Sequence, residues 1–217
     1  MLLSLSSASA TVLPPGLSGP PDFFTPIPGG TLLASSNSGT VTSTNGLITF
    51  DVVTAVYRDP TNIFGAGDLD FVYQVMLSAN SVDGISRLTA INFTGFLTDV
   101  GVTTMGASIP GGLFVNGLSQ LPQTVDRSIG GDTIGFNYPI PFNILPGQTS
   151  LAMIIQTNAT QFKAGSFNII DGGVSTVSAF EPTGPAVPES GSTAILLSLS
   201  MVGLLVGYTA LARRSVA

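Results

Sequence analysis

The sequence predicts an all-β protein: an antiparallel β-sandwich of jelly-roll type, followed by one C-terminal transmembrane helix. Three observations carry that prediction. Apolar residues alternate with polar ones through most of the middle of the chain, the two-residue period of half-buried strands. Asn-Gly, Asp-Gly and Pro-Gly pairs interrupt the alternation at short intervals, where tight hairpins need positive φ or a fixed bend. Residues 194–212 then form an apolar run of about nineteen residues without a charge, a helix of ~28 Å that matches the hydrocarbon core of a bilayer. The length of 217 residues holds one domain of ordinary size with short appendages.

Residues 1–10, MLLSLSSASA, are small and apolar and end with Ala8 and Ala10 at the −3 and −1 positions that signal peptidase accepts. They lack a basic n-region and a full-length apolar stretch, so they read as the remnant of a truncated signal peptide whose start lies upstream. Residues 11–30 contain six prolines and four glycines and read as an extended lead-in.

The β domain is expected over 31–182. Leu69, Phe71, Tyr73, Val75 and Leu77 place every second residue on one apolar face. Ile134, Phe136 and Tyr138 repeat the pattern, as do Ile48, Phe50, Val52 and Val56 within a longer strand over 47–57. Further strands are expected over 88–93, 151–157, 166–170 and 174–180, with lesser segments at 31–34 and 113–115. Turns fall at Asn45-Gly46, Asp83-Gly84, Pro110-Gly111, Asn116-Gly117, Gly130-Gly131, Pro146-Gly147 and Asp171-Gly172. Seven to nine strands in about 150 residues suit two packed antiparallel sheets.

The tail occupies 183–217. Its helix over 194–212 is stopped by Arg213 and Arg214, and the positive-inside rule puts these arginines in the cytoplasm and everything before the helix outside. The β domain is then an ectodomain. Pro185 and Pro188 disfavour helix in the residues before them and keep the boundary segment extended and open to a protease, while Ser192 or Thr193 can cap the helix that follows.

Composition sets exclusions. Hydrophobic residues make up 44% of the chain, yet only 8% are charged, against roughly 25% in an average domain. His, Cys and Trp are absent, which removes His-based triads, thiol nucleophiles, Cys/His zinc sites and disulfides. Six basic residues against twelve acidic ones, with pI ≈ 4.1, argue against nucleic-acid binding. The mean hydropathy of +0.50 leaves solubility to uncharged Ser, Thr, Asn and Gly.

Val187, Pro188, Glu189, Ser190, Gly191 and Ser192, then an apolar helix, then a basic pair, resemble the tripartite C-terminal sorting signal of PEP-CTERM proteins. The resemblance covers about the last thirty residues. Ser190 replaces the second proline of the Pro-Glu-Pro form, and the segment is closer to the Val-Pro-Asp-Ser-Gly variant, with Glu189 in place of aspartate. The resemblance implies recognition and processing by an exosortase, a membrane sorting peptidase, in a bacterium that makes extracellular polysaccharide. It implies a membrane-anchored precursor and a mature form on the surface or in the matrix. Short pieces of the middle, among them 69–75, 125–128, 145–150 and 165–172, are similar to ectodomains that carry such tails.

Candidate chemistry is sparse. Asp68 and Asp70, on one side of an extended Gly65-to-Asp70 segment, are calcium candidates, since calcium takes six to eight oxygens. The simpler reading is a hairpin loop with a solvated Asp. Asp126 and Arg127, followed by Asp132, suit an ion pair at a strand entry. No nucleophile–base arrangement surrounds Lys163, and no carboxylate pair is identifiable for glycoside hydrolysis. Asn92 and Asn158 begin glycosylation sequons. The expectation is therefore a non-enzymatic, cofactor-free surface or matrix protein associated with exopolysaccharide or biofilm. The alternative is a carbohydrate-binding or carbohydrate-acting module held by a permanent C-terminal helix.

Overall fold

The computed structural model describes residues 12–184. Among these it contains thirteen strands and one short 3-10 turn, Gly106–Ser108. The strands are β1 Ser18–Gly19, β2 Asp22–Phe23, β3 Thr31–Asn37, β4 Val41–Thr42, β5 Thr49–Asp59, β6 Asp68–Leu77 and β7 Arg87–Ala90. They continue with β8 Thr98–Thr103, β9 Thr124–Arg127, β10 Ile134–Asn137, β11 Ala152–Thr157, β12 Gln161–Ile170 and β13 Val174–Thr183. A six-stranded sheet runs β1-β9-β10-β7-β12-β13, and a seven-stranded sheet runs β2-β8-β11-β6-β5-β3 with β4 beside β5. Every pair is antiparallel except β2 with β8, so the larger sheet is mixed where pure antiparallel pairing was expected. Among the described residues no helix is long and apolar enough to cross a membrane. The expected helix over 194–212 lies outside them.

One core joins the inner faces of both sheets. Phe71, Tyr73 and Val75 of β6 and Met153 and Ile155 of β11 meet Leu88 of β7, Phe136 of β10 and Phe167 of β12. Tyr73 stacks on Phe167 with ring centroids 4.6 Å apart, and Phe71 meets Phe93 edge to face at 5.6 Å. These are the residues whose alternation marked β6 and β10 in the sequence.

The larger sheet is also covered on its outer face. Val53, Ala55 and Tyr57 of β5, Val72 of β6 and Ile154 of β11 pack beneath Ile27, Ile109 and Phe114. Gln74 fastens this cover: its Nε2 donates to Val115 O (2.8 Å) and Ser150 O (2.9 Å), and Val115 N donates back to its Oε1 (3.0 Å). A Cβ on Gly117 would strike the Ser150 and Leu151 backbone, so only glycine allows the loop to lie this close to the sheet.

Several expectations are corrected. The lead-in is part of the fold: Leu13 joins the main core, Ile27 the outer one, and β1 and β2 pair with β9 and β8. Proline keeps these strands to two residues without preventing the apolar side chains from docking. Residues 113–115 form no strand; they are the cover, held by side chains. The segment expected over 88–93 ends as a strand at Ala90, and Asn92 stands at φ 70 just beyond it. β8 and β9 were not anticipated. All six residues of β8 are buried, with no exposed positions to supply an alternation.

Candidate functional site

The sequence candidates Asp68 and Asp70 open β6, and both belong to its outer face because Leu69 and Phe71 point into the main core. Asp68 is half-buried beside the turn before β6, whereas Asp70 is not the solvated residue of a loop. Asp70 is fully buried, because β6 is covered on both faces. Asn62 Nδ2 donates to its Oδ1 (2.8 Å), and Asp59, also buried, lies beside it. Burial, and then the negative Asp59, push the Asp70 carboxyl well above the ordinary carboxylate range. Asp59 Oδ1 in turn accepts from Thr61 N (2.7 Å) and Thr61 Oγ1 (2.8 Å). Among the described residues no three of the His, Cys, Asp and Glu side chains converge as a metal group.

Asp70 is one member of a row that the sequence concealed. Register aligns Tyr57 of β5, Asp70 of β6, Gln156 of β11 and Asp99 of β8 across four neighbouring strands. All four lie on the outer face, since Val56, Phe71, Ile155 and Val100 next to them point inward. Gln156 Nε2 reaches Asp59 Oδ2 at 3.3 Å and Asp70 Oδ2 at 3.5 Å. Beyond Asp99 stands Asp22, whose strand pairs with β8 and which sits opposite Gly101 on the same face. Burial, then the charge of Asp22, push the Asp99 carboxyl up to about 7. The signal was Asp or Gln at the outward position of strands whose neighbours are apolar, but pairing order is not readable from one sequence.

The expected Asp126–Arg127 pair does not form, because adjacent residues of a strand face opposite ways. Asp126 receives Arg87 from across the six-stranded sheet, with Nη1–Oδ2 2.5 Å and Nη2–Oδ1 2.8 Å. Arg87, then its partner Asn137, hold the Asp126 carboxyl below the usual range against the opposing effect of partial burial. The Arg87 guanidinium lies over Gly135, where a Cβ would collide with it. Arg127 points inward and is buried. It donates to Gly131 O (3.0 Å), Phe93 O (2.8 Å), Phe96 O (2.8 Å), Leu13 O (3.3 Å) and Thr98 Oγ1 (3.2 Å).

A third feature is a polar recess of about 420 Å³ lined by Asn92, Thr94, Phe96, Asp132, Lys163 and Glu181. Lys163 Nζ pairs with Glu181 Oε1 at 2.9 Å, and Asn92 Nδ2 donates to Glu181 Oε2. The Asn92 amide is thus engaged within the fold, and Asn158 Oδ1 accepts from Leu97 N (2.9 Å). Both sequon asparagines have structural partners. The sequence-predicted Ala8, Ala10, Val187, Pro188, Glu189, Ser190, Gly191, Ser192, Arg213 and Arg214 lie outside the described residues. Comparison with known families, with curated proteins and with solved structures finds no match to any of them.

Proposed function

We propose that this chain is an exported bacterial surface or extracellular-matrix protein, delivered by a PEP-CTERM-type signal that an exosortase recognises and processes. The observation that carries the reading is the order of parts. A compact β unit closes at Gly184. The Val187–Ser192 segment, the apolar run over 194–212 and Arg213-Arg214 then follow in the sequence a sorting peptidase would meet them. In this reading the sandwich is the cargo, non-enzymatic and associated with exopolysaccharide, and the helix anchors only the precursor. The alternative, a saccharide-binding module on a permanent anchor, is favoured by the Asn92–Glu181 recess, whose hydroxyl, amide and carboxylate groups suit sugar hydroxyls. Against its stacking platform, Tyr57, Tyr73 and Tyr138 are all buried.

Mass spectrometry of the surface-exposed form from the native host tests the proposal. The mature protein should end before residue 194, and replacing Pro188 and Glu189 together should leave uncleaved precursor in the membrane. Recovery of mature protein still ending in Arg213-Arg214 and the residues after them refutes processing and favours the permanent anchor.

A further inference from the structure

At the β8 end of the outer row, three buried oxygens lack a hydrogen bond of good geometry: Asp99 Oδ1, Asp99 Oδ2 and Gln156 Oε1; the Val100 backbone N–H and the Asp22 carboxyl approach the Asp99 carboxyl. Asp99 is fully buried and Gln156 is 8% exposed. Their positions are fixed by pairing, Asp99 directly opposite Gln156. The Gln156 amide gives its Nε2 arm to Asp59 and Asp70 on the β6 side. That leaves the Oε1 arm for its other neighbour, β8. Asp22 completes the set from β2, close enough to Asp99 for their carboxylates to act on one another. A buried carboxylate and a buried amide oxygen without well-made hydrogen bonds are costly as they stand. A hard cation satisfies all of them at once.

We propose that Asp99, Asp22 and Gln156 Oε1 bind a divalent cation, Ca²⁺ in preference to Mg²⁺, which clamps β2 and the N-terminal segment onto the seven-stranded sheet. Calcium is favoured because it accepts irregular oxygen sets at 2.3–2.6 Å, whereas Mg²⁺ demands near-octahedral geometry and gives up water reluctantly. Asp22 is only half-buried, which leaves a path for the ion and room for water ligands. β2 pairs with β8 through two residues only, so a link between Asp22 and Asp99 adds a tie where the backbone supplies little. Two carboxylates and one amide resemble the ligand charge of the lower-affinity extracellular modules, with Kd about 10⁻⁴–10⁻³ M. The inference does not depend on the sorting signal.

The test uses the full chain in mild detergent near neutral pH. Equilibrium dialysis with radioactive Ca²⁺ should find one saturable ion per chain, and Ca²⁺ at about fifty times Kd should raise Tm by about 5 °C or more over EDTA. Mg²⁺ at the same concentration should give less than about a third of that shift. D99N should abolish binding and shift together, D22N should weaken both, and D83N, in an exposed turn, should change neither. Should D99N fail to fold, the dialysis of the unaltered chain and of D22N decides. Absence of saturable Ca²⁺ binding overturns the proposal and leaves Asp99 as a buried protonated acid; a full shift retained in D22N overturns it by placing the ion elsewhere.

Discussion

Replacing Arg127 with methionine should destabilise the β domain by about 4 kcal/mol. Methionine keeps the length and most of the apolar contact of the arginine stem while removing every donor. The guanidinium serves four backbone carbonyls and one hydroxyl on three segments: Leu13, the 93–98 stretch, and the β9–β10 turn at Gly131. Two of those carbonyls keep a donor without it, since Phe96 N bonds Phe93 O (3.2 Å) and Thr98 Oγ1 bonds Leu13 O (3.2 Å). Gly131 O and Phe96 O are left with no other hydrogen bond among the described residues, each a buried acceptor whose loss costs about 1–3 kcal/mol. In a domain of this size the total corresponds to a fall in Tm of about 10 °C. Urea unfolding of R127M beside the unaltered chain, with coincident fluorescence and circular dichroism transitions, measures it. R127K should lose about half as much, because one ammonium cannot span acceptors set around a planar fork. An R127M within about 1 kcal/mol of the original chain would show that the carbonyls rehydrate and that the cage holds nothing together.

Two further predictions concern the six-stranded sheet and the buried phenols. G135A should cost about 1 kcal/mol despite the better strand propensity of alanine, because its methyl displaces Arg87 from Asp126. In an R87A background the same change should be neutral or stabilising, so a double-mutant cycle that shows no coupling refutes the geometry. Burial pushes the Tyr57 hydroxyl up to about 12 and holds Tyr138 above its ordinary range; burial and then the negative Glu181 raise Tyr73. Folded-state pKa values raised in this way leave stability intact below about pH 10 and remove it as pH rises, because only the unfolded chain can ionise. At about pH 11 the phenolate absorbance of the folded chain should not exceed about three-tenths of its unfolded amplitude, since three of the four tyrosines are these and Tyr57 is then about a tenth ionised; a signal well above that without unfolding contradicts the burial.

What the sequence made legible follows from where water stands. β6, β10, β12 and β13 alternate cleanly enough, or carry flanking turns strong enough, to be read directly; β13 shows the pattern in full, with exposed and buried positions exchanging from Val174 to Ala179. β8 escaped because the outer cover removes solvent from its second face, so Asp99, Gly101 and Thr103 are buried where an exposed polar residue is the usual sign of a strand. The same cover hid the acid row. Asp70 sits at a polar position of a perfect alternation, and its burial, with Asn62 from the 60–67 loop at its Oδ1, depends on contacts that the alternation does not record. The reading of Asp126 with Arg127 failed on a simpler point, that neighbours in a strand cannot share a face, which was available once 124–127 was known to be extended. The lead-in misled for the opposite reason: Pro and Gly mark an irregular backbone, but Leu13, Phe24 and Ile27 are the apolar anchors that decide whether such a backbone docks.

The scarcity of charge also changes meaning inside the fold. Between residues 12 and 184 the chain has fifteen Asp, Glu, Lys and Arg residues, and six of them, Asp59, Asp70, Asp99, Arg127, Asp171 and Glu181, are buried. Charged residues are ordinarily the last to leave water and do so when paired or tightly hydrogen-bonded. Here Arg127 sits in a carbonyl cage, Glu181 is held by Lys163 and Asn92, and Asp70 is held by Asn62 beside Asp59. A chain with so few charges therefore does not merely replace a charged surface with hydroxyls and amides. It places two-fifths of its charged residues in the interior, and four of these, Asp59, Asp70, Arg127 and Glu181, cross-link segments that are distant in sequence, in a fold whose described residues hold neither disulfide nor α-helix to do so. Asp171 and Asp99 are the exceptions: Asp171 accepts from Gly173 N two residues away and its Oδ2 has no partner, and neither Asp99 oxygen makes a hydrogen bond of good geometry. At Asp99, by the proposal above, an ion supplies the tie that no side chain does.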